Sequence, residues 1–393
     1  MRDFISKIIV SIILLFLITG AFSSAANTNN KSFESSQFAY EYYTYQEMVD
    51  LFEGLQDLYP DFMSYTSLGK TYENRDVWLV KLSDNVEVNE DEPGVLLMGS
   101  IHGDERPPFE SLIYLIEHMT EFYVKENTDD DEDGLMNEDP IDGIDNDDDG
   151  QIDEDPSEDR VRDIIDNTEV FIIPMVNPDG VEHNTRKNRD QKPGQTNIGV
   201  DLNRNFAYKW YLYDIFPIAY NDARTSDLNS WNYRGEEPFS ELETKAIKNF
   251  IENEDIKISL SYHSYGEVIM YPWTHTSQRV PHEKIFLSVA QGISSIDGYY
   301  IYNGLTTILP WPGGTIGTSE NWFYSEHGIL SFTMELCKSK APTNPAVVID
   351  CCIKHVGVNL YVCEQAPTVK QVSKVVDKPI IFSNFFYFLQ KLR

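Results

Sequence analysis

Four side chains carry the case for chemistry: His102, Glu105, His263 and Glu335. His102-Gly-Asp-Glu105 follows an apolar run from Val95 to Ile101, so an H-x-x-E pair falls where a strand would turn into a helix. Alone, such a pair is weak, because H-x-x-E recurs by accident. His263 supplies a third ligand directly after the apolar run ending at Tyr262. Two histidines and one carboxylate leave a zinc position open, as in catalytic rather than structural sites. Glu335 closes the run Leu330–Met334. By itself it is a surface acid past a strand end; beside three ligands it is the base that a zinc-activated water requires. His118, His183, His275, His282, His327 and His355 lack such company and read as surface or satisfied core residues.

The elements that must position these groups are short. Val77–Leu82, Val95–Ile101, Val170–Val176, Ile258–Tyr262 and Leu330–Met334 have the apolar, β-branched character of buried strands. Phe109–Val124, Leu242–Glu252, Pro281–Ile296 and Ala346–Tyr361 carry helical patterns, and Ser240-x-x-Glu243 reads as a capping box opening the second. Strands alternating with helices predict a single α/β domain with a central mixed, largely parallel twisted sheet flanked by helices. Such sheets bind ligands at the carboxyl ends of their strands, which is where His102, His263 and Glu335 fall.

The chain has 393 residues, 41% of them hydrophobic, enough for a substantial core. Its net charge of −33 argues against nucleic acid as a partner, since that binding rests on basic patches. The charge is uneven: residues 129–159 hold 17 acids and no Lys or Arg, and without them the chain carries −16. Within this stretch, Asp129-Asp-Asp-Glu-Asp-Gly is echoed by Asp145-Asn-Asp-Asp-Asp-Gly, each copy followed by Glu-Asp-Pro. Oxygens at Asp129, Asp131 and Asp133, and again at Asp145, Asp147 and Asp149, then a glycine, form the first half of a calcium loop. The twelfth residue is Pro140 or Pro156 rather than Glu, so the spacing is incomplete. The duplication favours Ca2+ in the insert 129–156 over the alternative of an acidic, solvated loop.

Residues 1–26 read as a secretory signal: Arg2 and Lys7, an apolar run from Ile8 to Ile18, then Ser23-Ser-Ala-Ala26. The run is short for a spanning anchor, so the expectation is a secreted, extracellular protein. Cys337, Cys351, Cys352 and Cys363 would then meet an oxidising compartment, but their spacing does not dictate a pairing. Residues 367–393 form a tail whose segment Pro379–Leu389 is rich in Phe and Ile, either an interfacial helix making peripheral membrane or surface contact or a last element packed on the domain.

The ordered pieces His102-Gly-Asp-Glu105, Asn177-Pro-Asp-Gly180, Thr185-Arg-Lys-Asn-Arg189, Gly199-Val-Asp-Leu-Asn-Arg-Asn-Phe206, Tyr262-His-Ser-Tyr265 and Ser331-Phe-Thr-Met-Glu335 together resemble the zinc metallocarboxypeptidases of the funnelin type, of the carboxypeptidase A, B and T kind, over residues 36–366. The resemblance implies one Zn2+ per chain on His102, Glu105 and His263, with Glu335 as general base. It implies that Arg186 polarises the scissile carbonyl, that Asn203 and Arg204 grip the substrate's terminal carboxylate, and that Tyr265 lines the cleft. Peptide or protein C-termini would be the substrates. The family's loop tyrosine has no counterpart: aligning on Gly313-Gly314 puts Leu309 there, and aligning on Trp322 puts Gly313 there. Trp311 or Tyr302 could cap the pocket instead. Glu320 falls near the position that selects the C-terminal side chain and would favour Lys or Arg; Ile316, the alternative, would favour apolar residues. The stretch between Ala26 and Phe38 is too short for the folded inhibitory propeptide of the digestive members, and that after Ala366 too short for the β-sandwich of the regulatory ones, so neither is expected. Two rival readings keep the same residues: a zinc hydrolase acting on cell-wall peptides or N-acyl amino acids, and a calcium-dependent surface protein whose zinc fold is idle.

Overall fold

The computed structural model describes residues 40–124, 158–189, 199–212, 226–276, 278–303, 314–369 and 372. The signal segment, the acidic insert, Leu309, Trp311, Gly313 and nearly all of the tail lie outside the described residues.

The eight described strands form one sheet, in the order β1 (Met63–Lys70), β2 (Asp76–Leu82), β4 (Glu169–Ile173), β3 (Gly94–Met98), β5 (Ile256–Ser264), β8 (Leu330–Leu336), β6 (Val268–Tyr271) and β7 (Tyr300–Asn303). The four central strands, β4-β3-β5-β8, run parallel. β2 runs antiparallel to its neighbours β1 and β4, and β6 returns antiparallel to β8. Every residue of β3 and β4 is buried, the signature of strands covered on both faces. β1, β6 and β7 escape sequence detection for a physical reason: β1 is a half-exposed Ser/Thr-rich strand, and the other two are four residues long.

Helices cover the sheet. α1 (Tyr45–Leu58) starts on a capping box between Thr44 and Glu47 and packs on β1. α2 (Pro107–Val124), α3 (Glu158–Asn167), α6 (Glu283–Asp297) and α8 (Pro345–Gln365) pack together, with α8 touching the other three. α4 (Pro178–Glu182) follows Asn177, whose side chain caps it. α5 (Leu242–Ile251) lies on β1, and α7 (Ser319–Trp322) is a short turn ahead of β8.

One expected cap does not form. α5 begins at Leu242 with Glu241 as its N-cap and no side-chain capping bond. Ser240 Oγ instead donates to Glu241 Oε1 (2.6 Å). Glu243 is fully buried and accepts from the Asn188 amide (3.1 Å) rather than from the Ser240 backbone. A tertiary contact has taken the residue that local spacing assigned to capping. The unassigned histidines also differ in part: His275 is buried with neither ring nitrogen partnered. Burial, then Lys209, holds it neutral, with its pKa pushed down to about 3. The four cysteines are buried free thiols.

Candidate active site

The carboxyl ends of three adjacent parallel strands bring the chemistry together. β3 ends at Met98, and the turn that follows carries His102 and Glu105. That turn must pass tightly against the start of α4: a Cβ on Gly103 would lie 2.0 Å from the Gly180 carbonyl carbon, so only glycine fits. Val176 and Asn177, past the end of β4, donate backbone hydrogen bonds to Gly99 and Ser100 (3.0 and 3.1 Å), which prolongs the strand pairing into the turn. His263 lies near the end of β5, and Glu335 is its register partner on β8.

His102, Glu105 and His263 are each no more than 3% exposed. His102 Nδ1 lies 2.9 Å from Glu105 Oε1, His263 Nδ1 lies 3.0 Å from Glu105 Oε2, and the two Nδ1 atoms are 3.1 Å apart. Donors about 2.0 Å from a tetrahedral zinc sit about 3.3 Å from one another. The triangle is therefore close to the size that such an ion needs, and its N, N, O donor set suits zinc. Burial opposes charge on Glu105, but His102 and His263 outweigh it and hold its carboxyl well below the usual carboxylate range.

The surrounding groups fix these donors. With a cation on the Nδ1 lone pair, His102 Nε2 would carry the hydrogen and donate it to Asp201 Oδ1, 3.0 Å away. Arg186 Nε donates to Asp201 Oδ2 (2.9 Å), and its Nη1 reaches Glu105 Oε1 (3.4 Å). Asp201 is wholly buried; Arg186, Arg204 and His102 overcome that burial and keep it ionised. Trp231, exposed at the rim, covers the guanidinium, with 4.8 Å between ring centre and Arg186 Cζ. Asp201 stands inside a stretch already singled out, yet nothing in its spacing announces its contacts; Trp231 gives no sequence signal at all.

Asn203 lies with its amide nitrogen 3.4 Å from His263 Nε2, and its Oδ1 accepts from the Ser319 backbone (3.0 Å). Arg204 is buried beside it, with Nη1 on the Asn203 carbonyl (2.8 Å). Ser319 leads directly to Glu320, 2% exposed, whose Oε1 accepts from Thr274 Oγ1 (3.0 Å) and whose Oε2 is buried without a partner. Ile316 is buried too. Tyr265 stands apart, 56% exposed, two residues past His263 and without a side-chain hydrogen bond among the described residues. Tyr302 is half-buried on β7, the strand at the far edge of the sheet.

Glu335 is pushed up to about 6. Burial is the main cause and Glu105 adds to it, while His263, Arg186 and Lys340 pull the other way. A carboxyl with that value is ionised at neutral pH yet basic enough to take a proton.

Residues 48–347 match the family model described as zinc carboxypeptidase, and the chain belongs to that family. Among curated relatives, it is 26% identical over 316 residues to the zinc carboxypeptidase of Saccharothrix mutabilis subsp. capreolus, covering 77% of this chain and 63% of that protein. It is 27% identical over 314 residues to carboxypeptidase A1 of Mus musculus, covering 76% and 64%. Both alignments thus span less than two thirds of the relative. Among solved structures, carboxypeptidase A from Helicoverpa armigera superposes with a TM-score of 0.65 at 19% identity, covering 83% of this chain and 74% of that one; that likeness is one of fold.

Proposed function

We propose that the protein is an exopeptidase that hydrolyses the C-terminal peptide bond of peptides, with His102, Glu105 and His263 holding zinc and Glu335 acting as base. The observation that carries this reading is the register pairing of His263 with Glu335, which sets a carboxyl of raised pKa beside the ligand triangle. Bound there, zinc would supply Lewis acidity and lower the pKa of a water to about 7. Glu335 takes a proton from the attacking water and later delivers it to the leaving amine. Arg186, steadied by Asp201, presents its guanidinium to the carbonyl oxygen as negative charge develops, a contribution of about 3–4 kcal/mol. Asn203 and Arg204 receive the terminal carboxylate, for which a planar guanidinium is the better partner. Tyr265 forms part of the rim over which the peptide enters.

Exopeptidase selectivity follows from the same groups. A mid-chain amide offers no carboxylate to the buried Arg204, so only a chain end gains that charge-assisted contact. The test compares a peptide with its C-terminally amidated twin. Shortening of the free acid alone is expected; equal cleavage of both overturns the proposal.

Glu320 supports a preference for C-terminal Lys or Arg, since its buried Oε2 has an acceptor position to fill. The sequence of residues 1–26 supports export to the extracellular space. The duplicated aspartates support calcium binding by the insert; protease digestion of residues 129–156 that slows in calcium and not in chelator is the expected result, and identical digestion patterns count against it.

A further inference from the structure

Arg186 stands on the turn 185–189, and Asp201, which fixes its Nε, stands in the stretch Gly199–Phe206. Two residues beyond Arg186 a second tie joins the same segments. Asn188 N donates to the Val200 carbonyl (3.0 Å), and Val200 N donates to Asn188 Oδ1 (2.7 Å). A Cβ on Gly199 would lie 2.1 Å from the Asn188 carbonyl oxygen, so the two backbones are as close as glycine allows.

The Asn188 amide has both hydrogens committed to acids from the start of α5: Nδ2 lies 2.8 Å from Glu241 Oε2 and 3.1 Å from Glu243 Oε2. Asn188, Glu241 and Glu243 are all at most 2% exposed. Two buried carboxylates on one amide nitrogen cannot both ionise cheaply, and Glu243 Oε1 has no partner at all. A neutral carboxyl leaves an oxygen unpartnered at far less cost than an ionised one.

We infer that Glu243 works as a neutral acid which, with Glu241, holds Asn188 in place, and that this clamp is a positioning device for Arg186. The charged groups bearing on Glu243 are Glu241 at its own helix start and Asp179 from α4, both acids. Arg75 is engaged by Asp179 and Glu73, at 2.7 and 2.8 Å. Burial first, then these neighbours, push Glu243 up to about 8, against donors that lower it. Above that pH the clamp would hold two adjacent anions, and the Asn188–Val200 stitch beside Arg186 would loosen.

Glu243→Gln, which fixes the neutral form in nearly the same shape, is the test. The clamp itself stands apart from the peptidase reading, and only its kinetic arm rests on it. Glu243→Gln should retain wild-type kcat at pH 7 and lose the part of the alkaline decline that the wild type shows near pH 8. Asn188→Ala should lower kcat about ten- to a hundredfold with little change in KM, the signature of a misplaced Arg186. The second arm needs no turnover. The unfolded chain ionises Glu243 near its ordinary value, whereas the folded chain keeps its proton to about 8, so thermal stability should fall as pH rises through that interval and level off above it. Glu243→Gln should flatten the slope. An unchanged slope or a neutral-pH loss of kcat overturns the inference; should Glu243→Gln not fold, an Asn188→Ala variant that keeps wild-type kcat overturns it instead. A wild type without peptidase activity would remove the proposed function while leaving the stability arm decisive.

Discussion

Glu335, pushed up from the ordinary carboxylate range by burial, is the group that the proposed reaction asks to move a proton. Glu335→Gln keeps the shape and removes the basicity, so kcat should fall by about 10²–10⁴-fold while zinc content stays unchanged. Equal turnover by the variant would remove Glu335 from the mechanism. The wild-type acid limb should lie at or below about pH 6, since a cation on His102, Glu105 and His263 draws the value of Glu335 down further; activity is lost as pH falls through that limb and Glu335 protonates. At Glu320 the expected effect is on preference. Glu320→Gln should reduce cleavage of C-terminal Lys and Arg relative to Leu by about ten- to a hundredfold, the worth of one charge-assisted hydrogen bond, and an unaltered ratio in competition assays would show that another residue sets it. His102, Glu105, His263 and Glu335 were legible because each follows an apolar run with a spacing that chemistry recognises. Asp201 was not, because a carboxylate in irregular chain has no period, and its value lies wholly in which imidazole and guanidinium the fold brings to it.

Five of the eight described strands were readable from β-branched apolar runs, but strand order was not. β4 follows β3 in sequence, yet β3 pairs on its other side with β5, and β5 with β8, across long intervening stretches. That order puts the three strand ends in a row, and no local pattern encodes it. The sharpest dependence between elements is the turn after β3 against the start of α4. Gly103→Ala would drive a methyl into the Gly180 backbone, which has no side chain to yield. A loss of about 1–3 kcal/mol is expected from such overpacking. Because His102 is the preceding residue, zinc affinity should fall with it. Thermal melts and competitive zinc titration check both, and a variant with unchanged melting and metal affinity would show that this approach carries no strain.

For the whole molecule, the ligand triangle leaves three buried polar side chains turned towards one another at the end of the sheet. Two imidazole nitrogens 3.1 Å apart, with a carboxylate across from both, are a poor arrangement without a cation and a good one with it. Folding and metal should therefore be linked. An ion that binds only the native state stabilises it by about 4 kcal/mol at a free concentration a thousand times its Kd. Dialysis against a strong zinc chelator should lower the melting temperature by several degrees, and stoichiometric zinc should restore it. Calcium should not, because a site of two nitrogens and one carboxylate is chemically wrong for a hard ion that takes oxygen. His263→Ala separates this site from any metal held in the acidic insert: its melting temperature should no longer respond to zinc, while any response to calcium stays that of the wild type. A zinc response that survives His263→Ala would place the stabilising ion elsewhere, and absence of a response in the wild type would mean that the three strand ends meet for some other reason.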